Sequence, residues 1–276
     1  KDKVALIKQE MLKRGYKLKD IQFGDDNRAF NIDRANNCIV QTMASIKDMP
    51  KSAPEALYEL GKSDIKNRAA LYQALMDDPR INKKAIEILF HLGYFNKFAQ
   101  PNRLITEYEI YQKYISAKVL TKSSFDDIMI DVIRPCCGKE TEKQFREIDN
   151  RALITALIKQ ANIKPTTIVD RIKWQLEYLG YCTVNDPNSD PNDWIVLDVK
   201  TTGYGTTYIT AYNLCYGAER TYRANKKFWT NHQLSKGDVI RAVLQEKNKM
   251  KKDEKGEWVT LSETYQEMKV WKKLEV

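Results

Sequence analysis

Two stretches decide how this chain is read. They are Ile46-Lys47-Asp48-Met49-Pro50-Lys51-Ser52-Ala53-Pro54-Glu55-Ala56-Leu57 and Asn82-Lys83-Lys84-Ala85-Ile86-Glu87-Ile88-Leu89-Phe90-His91-Leu92-Gly93-Tyr94-Phe95. Each reads as a helix, a tight hairpin and part of a second helix. In the first, Pro54 sits where a helix's opening turn tolerates a residue without an N–H, and Gly61 ends the run. In the second, Lys84 to Leu92 repeats apolar residues at helical spacing. Together they predict a tandem helix-hairpin-helix module over residues 36–110.

Outward from that module, Val4 to Leu12 has helical spacing closed by Gly15, with strand-like runs around Ala29–Ile32 and Cys38–Val40. Asn67 to Met76, Asp149 to Ala161 and Thr166 to Leu179 read as amphipathic helices. Ser123 to Asp127 offers an N-cap with acids in the first turn. Residues 111–190 are expected to form a helical spacer. The polar, proline-broken run Asn185 to Asp193 then marks the main boundary. Beyond it the texture is β: Trp194–Lys200, Thr206–Tyr212, Arg220–Arg223, Asp238–Leu244, and a fifth strand from Trp258–Leu261 with Met268–Trp271. Lys247 to Gly256 reads as a lysine-rich loop. The fold class is therefore α+β, a helical domain followed by a five-stranded OB-type β-barrel over 191–276.

The chain has 276 residues and a formal net charge of +9, from 46 Lys+Arg against 37 Asp+Glu. Such an excess favours a polyanion, through phosphate contacts and counterion release. The alternative is a soluble protein that happens to be basic. Five cysteines without a Cys-x-x-Cys pair, and two histidines, supply neither a disulfide framework nor a zinc ligand set. The cysteines read as reduced thiols in a cytoplasmic protein. No apolar run reaches the roughly 20 residues of a spanning helix, so no membrane partner is expected.

A helix-hairpin-helix holds DNA because backbone N–H groups of a Gly-rich hairpin, beside a helix N-terminus, face one phosphate. The candidates for duplex contact are Lys47, Lys51 and Ser52 at the first hairpin, and Lys83, Lys84, Gly93, Tyr94 and Lys97 at the second. An ordinary helix pair with solvated lysines explains the same pattern. In the β region, residues 194–276 carry 15 Lys+Arg, 10 Asp+Glu and 11 aromatics. Single strands are held by stacking bases on aromatic faces in a basic groove. Tyr208, Tyr212 and Tyr222 lie on the second and third strands, with Tyr208 and Tyr212 on one face. Arg220 and Arg223, three apart, point opposite ways, so one of them faces ligand. Lys226, Lys227, Lys247, Lys249, Lys251 and Lys252 complete the single-strand set. Trp194 and Trp271 are expected in the barrel core.

Ile46-Lys47 through Ala53, Glu55 and Ala56 resembles a motif of the bacterial C-family replicative DNA polymerases, the polymerase III α-subunits. Asn82-Lys83-Lys84, Glu87, Leu89, Gly93, Phe95 and Asn102-Arg103-Leu104 resemble that family's second segment. Leu176-Glu177-Tyr178-Leu179-Gly180-Tyr181 is similar to the element before its OB domain. Order and spacing agree along the whole chain. The resemblance implies a non-catalytic C-terminal part of such a polymerase: residues 1–35 as the tail of the fingers, the hairpins on duplex DNA with Arg103 added to that set, and the barrel on single-stranded template. It implies the sliding clamp and clamp-loader subunits as further partners, and places divalent metal only in a palm domain upstream. The chain departs from the family at Asp48 and Pro50, where glycines are usual. Pro50 lacks an N–H and Asp48 adds negative charge, which weakens the first hairpin as a phosphate binder and favours Leu92-Gly93-Tyr94. Cys182-Thr183-Val184-Asn185 replaces the family's next motif, which points to a divergent Gram-positive or phage-related branch.

No catalytic residue and no bound cofactor or metal is expected in this segment. The acid pairs Asp25-Asp26, Asp77-Asp78 and Asp126-Asp127 read as turn and capping residues rather than metal ligands. A free-standing binding protein with the same modules, or a metal-dependent nuclease, are the alternatives.

Overall fold

The computed structural model describes residues 10–11, 14–224, 233–254 and 256–274, apart from the Trp271 side chain. The expected helix Val4–Leu12 lies outside them except for Glu10 and Met11. Its glycine stop is present: Gly15 has φ +78°, and Tyr16 N–H donates to the Met11 carbonyl at 3.0 Å. The chain is mixed α+β and divides into two compact units. One comprises Lys1–Thr167 with Trp174–Tyr181, the other Ile168–Lys173 with Cys182–Val276.

The first unit begins with a three-stranded sheet, β1 (Lys17–Lys19), β2 (Asn31–Asp33) and β3 (Cys38–Val40), in the order β1-β3-β2. Helices α1 (Ala53–Gly61), α2 (Arg68–Asp77), α3 (Lys83–His91) and α4 (Pro101–Tyr114) follow. Sequence sets their ends. Asn67 and Asn82 cap α2 and α3 by accepting from Ala70 N–H at 2.9 Å and Ala85 N–H at 2.8 Å. One face of α3 buries Ala85, Ile86, Ile88, Leu89 and Phe90. They meet a cluster of edge-on rings: Phe90 lies 5.6 Å from Phe95 and 5.5 Å from Tyr108, and Tyr72 5.7 Å from Tyr108. Glu107 of α4 is only 2% exposed, yet its charge is answered. Arg68 approaches it at 2.5 Å and Arg103 at 3.2 Å, and the Tyr72 hydroxyl donates at 3.0 Å.

Residues 111–190 are not wholly helical, contrary to expectation. Strands β4 (Val119–Thr121), β5 (Cys137–Glu140) and β6 (Gln144–Ile148) pair in the order β4-β6-β5 around helix α5 (Asp127–Ile133), ahead of α6 (Asn150–Gln160) and α7 (Ile168–Tyr178). These strands are three to five residues long, too short for a period-2 signal to emerge. All five cysteines are free. Among the described residues no helix is long and apolar enough to cross a membrane.

The second unit holds β7 (Asp193–Thr201), β8 (Thr207–Asn213), β9 (Glu219–Ala224), β10 (Val239–Lys252) and β11 (Trp258–Leu274). β7, β8 and β9 form an antiparallel meander. Among the described residues β11 joins β9 in parallel through Glu267↔Arg223 and Met268↔Ala224. β10 pairs with β11, and with β7 through Val239, Ile240 and Arg241, so the ring of pairings closes. Inside lie Trp194, Val196, Ile209, Ala211, Tyr222, Ile240, Ala242, Met268 and Val270. Trp194 is core as expected; its indole N–H reaches the Ala242 carbonyl at 3.1 Å. The presumed loop Lys247–Gly256 is instead mostly strand. β10 runs to Lys252, paired with β11 from Tyr265 back to Trp258, and projects past the ring as a two-stranded ribbon. Lysine has low strand propensity, which hid this, but cross-strand partners outweigh propensity.

Candidate nucleic-acid interface

Among the described residues β9 and β11 pair at Arg223 and Ala224, and the earlier part of β9, from Glu219 to Tyr222, is not paired with β11. A cleft of about 1080 Å³ opens between β9 and the ribbon. Tyr208, Arg220, Thr221 and Arg223 come to it from β8 and β9; Lys247, Lys249 and Met250 from β10; Trp258 and Tyr265 from β11. The register explains the grouping. Tyr208 faces Arg223 across β8–β9, and Lys247 faces Tyr265 across β10–β11. Arg223 closes the gap between the strand pairs, with its guanidinium 5.1 Å from the Tyr265 ring centre. Trp258 is 63% exposed and Tyr208 40%, large aromatic areas left to solvent beside cations.

The positive charge is tempered by local acids. Lys247 pairs with the nearly buried Glu267, and Lys249 meets Glu263 at 2.7 Å. That bond holds the Glu263 carboxyl below the usual range. A phosphate entering here would compete for partly engaged lysines, so the net gain per contact falls below that of a solvated one. Lys251 and Lys252 continue the basic row, with the Lys252 ammonium 5.5 Å from the Trp258 ring centre. Lys226 and Lys227 lie outside the described residues.

Two of the three tyrosines expected on this face cannot stack a base. Tyr222 reaches the cleft lining but is 4% exposed and packs edge-on against Trp194 at 5.5 Å, so its ring face is taken; burial raises its phenol pKa. Tyr212 is 1% exposed: it shares parity with Tyr208, but its hydroxyl donates to the Val184 carbonyl at 2.7 Å under a covering segment. Face parity was legible in the sequence; the covering segment was not. Arg220 and Arg223, expected to point opposite ways, both line the cleft, because Arg220 lies at the open end of β9 beyond its junction with β11. Tyr265, Trp258, Met250, Asn248, Thr264 and Gln266 were not foreseen as lining residues. Tyr265 could have been found by continuing the alternation of the fourth strand through Lys247.

In the helical unit the second hairpin differs from expectation. Gly93 N–H donates to the Phe90 carbonyl at 3.0 Å, and Tyr94 N–H to that of Leu89 at 2.9 Å. This pair of bonds is a Schellman cap on α3, with Gly93 at φ +73° in the position that favours glycine. The amides meant for a phosphate thus satisfy the helix end instead. Tyr94 itself is 2% exposed, and burial raises its phenol pKa. Lys97 rests over the Phe23 ring at 4.4 Å and Arg103 pairs with Glu107, so neither presents an isolated cation.

Ahead of α1 the first stretch holds a three-residue 3-10 turn, Met43–Ser45, in place of the expected first helix. Asp48 adopts φ +62°, the left-handed conformation that glycine would supply, and aspartate tolerates it better than most residues. Lys47 N–H donates to the Tyr178 carbonyl at 2.9 Å, and Ser52 Oγ donates to the Arg80 carbonyl at 3.1 Å. Lys84 reaches the same neighbourhood, 5.5 Å from the Tyr178 ring centre and 3.8 Å from Glu87. Lys47, Lys51 and Lys83 are exposed. Behind them His91 stacks on Trp174 at 4.3 Å and meets the Tyr178 hydroxyl at 3.3 Å; burial lowers its pKa.

The acid pairs serve the fold, as expected. Asp126 caps α5 by accepting from Met129 N–H at 2.8 Å, Asp78 accepts from Arg80, and Asp25 and Asp26 pair with Lys19 and Arg28. Among the described residues no three His, Cys, Asp or Glu side chains gather as a metal site would require. No protein-family model matches the chain, and no curated protein matches it.

Proposed function

We propose that this chain holds nucleic acid, with a single strand lying in the cleft between β9 and the β10–β11 ribbon. The cleft carries the proposal: Tyr208, Trp258 and Tyr265 offer ring faces among Arg220, Arg223, Lys247 and Lys249. Bases stacked on such rings gain about 1–3 kcal/mol each. The strand order supports reading the unit as an OB-type barrel, since a three-strand meander, a parallel third-to-fifth junction and a fourth strand closing on the first are its topology. That fold takes single strands on its second and third strands and the adjoining loops.

In the helical unit the tandem helix-hairpin-helix reading is supported by the left-handed turns at Asp48 and Gly93. Its grip on duplex is weaker and rests on the side chains of Lys47, Lys51 and Lys83. The larger setting we propose is the DNA-holding C-terminal part of a C-family polymerase III α-subunit, with the chemistry elsewhere in that protein.

The test is a fluorescence titration with a labelled single strand and the matching duplex, at several salt concentrations. The single strand binds more tightly, and Tyr265→Ala with Trp258→Ala weakens it while leaving duplex binding unchanged. Equal binding of both forms, or no effect of the double substitution, overturns the assignment. Assays of metal-dependent nucleotide incorporation and cleavage should both be blank; either activity refutes the non-catalytic reading.

A further inference from the structure

A groove that only stacks bases is indifferent to sequence, or favours pyrimidines because their backbone yields easily. The floor of this cleft is not limited to rings and cations. Asn248 of β10 and Gln266 of β11 both line it. Their cross-strand partners are Thr264 and Glu246, so the two amides are diagonal neighbours on one face of the ribbon. Such diagonals lie about 7–8 Å apart, within reach of one flat ligand. Both residues are exposed, and among the described residues neither amide has a side-chain or backbone partner.

The position of this face matters. Nearer the ring the same parity carries the apolar pair Leu244 and Met268; one step out it turns polar with Glu246, Asn248, Thr264 and Gln266. Further out it turns apolar again at Met250 and Trp258. Exposed stacking surface thus adjoins the polar group on its outer side alone, at Met250 and Trp258 past a register shift in the ribbon; on the inner side Met268 is buried in the core. Glu246 adds direction to the pattern: it accepts from the Thr264 hydroxyl at 2.6 Å and leaves a carboxylate beside the amides.

We infer that the cleft reads the base it stacks and selects adenine. This rests on the single-strand reading above. An Asn or Gln amide pairs in two-point fashion with adenine, giving a donor to a ring nitrogen and accepting from the exocyclic amine. Glu246, which stands beside the lining residues, accepts equally from the amine of adenine or of cytosine, so the two-point amide pairing is what singles out adenine. Thymine, with a keto group at the corresponding edge, is the poorest fit. The ligand class is thus an adenine-containing single strand.

The experiment compares dA12, dC12 and dT12 at one salt concentration, using intrinsic tryptophan quenching, for the wild type and for Asn248→Ala with Gln266→Ala; dC12 binding as tightly as dA12 overturns the adenine assignment. The expected result is dA12 tighter by about fivefold or more, the lower end of what one amide–adenine pair contributes. In the double variant the ratio of dA12 to dT12 affinity falls to about one. Circular dichroism of the variant, unchanged, shows that the ribbon is intact. Equal affinities in the wild type, tighter dT12, or a preference that survives the double substitution would overturn the inference and leave single-strand binding standing. Failure of all three oligonucleotides to bind refutes the underlying reading instead.

Discussion

The two units treat their cations differently. In the helical unit the arginines serve the fold: Arg68 and Arg103 neutralise the buried Glu107, Arg28 bridges Asp26 and Glu55, and Arg80 bridges Asp78 and Glu59. Its hairpin amides close a helix. In the β unit Arg220 and Arg223 open onto a cleft beside Tyr208, Tyr265 and Trp258. The hairpin motif that first suggests DNA is thus the more self-satisfied surface. The β10–β11 ribbon, whose lysines look like a solvated loop in the sequence, sets exposed rings beside Arg220 and Arg223, although Lys247 and Lys249 are themselves ion-paired. Hydrogen-bonding capacity already used within the fold is not available to a ligand without a desolvation cost.

This contrast can be broken by experiment. The largest expected effect is structural. Trp194→Ala removes the ring that Tyr222 packs on and leaves the Ala242 carbonyl without its indole donor, so the β unit loses about 3–5 kcal/mol in denaturant unfolding. Signals from the helical unit should be unaffected, and a single shared loss would show the units to be one cooperative body. Next, Glu107→Gln weakens the contacts of Arg68, Arg103 and Tyr72. Because both arginines are more than a third exposed, the cost is held to about 1.5–3 kcal/mol. Gly93→Ala costs roughly 1–2 kcal/mol, since the residue must adopt φ +73° and its Cβ would come 2.5 Å from Asn96 Nδ2.

A smaller effect sharpens the functional side. Asp48→Gly keeps the left-handed turn, removes a negative charge and frees the hairpin to approach a phosphate. Duplex affinity should rise several-fold at low salt, converging with wild type as salt screens the charge. No change would mean that the first hairpin does not touch DNA.

The smallest effect is in pH dependence. Burial between Trp174 and Tyr178 favours neutral His91 and lowers its folded pKa below the ordinary 6.5. Its contribution to stability is therefore complete above pH 6.5 and declines as pH falls through that value towards the lower folded one. Stability of the helical unit should drop between pH 7 and 5, and His91→Gln should remove that part of the slope. An identical slope in the variant would assign the effect to carboxylates.

What the sequence by itself determined is local. Helix starts read at Asn67 and Asp149 prove to be capping residues, whereas α5 is capped by Asp126 and not by a serine of Ser123-Ser124, which lie in a 3-10 turn. The apolar period of α3 placed its core face, and the β-branched and aromatic runs placed β7 to β9. Tertiary structure decided what no local pattern carries. Whether Tyr212 is open depends on a segment 28 residues earlier in the chain, whose carbonyl its hydroxyl meets. Lys247 to Lys252 became strand because Trp258 to Tyr265 pair with them. The cleft exists because the start of β9, at Arg220 and Thr221, is not paired with β11. Caps and periodicity act within a turn or two of chain; exposure, strand partnership and concavity depend on residues far apart in sequence.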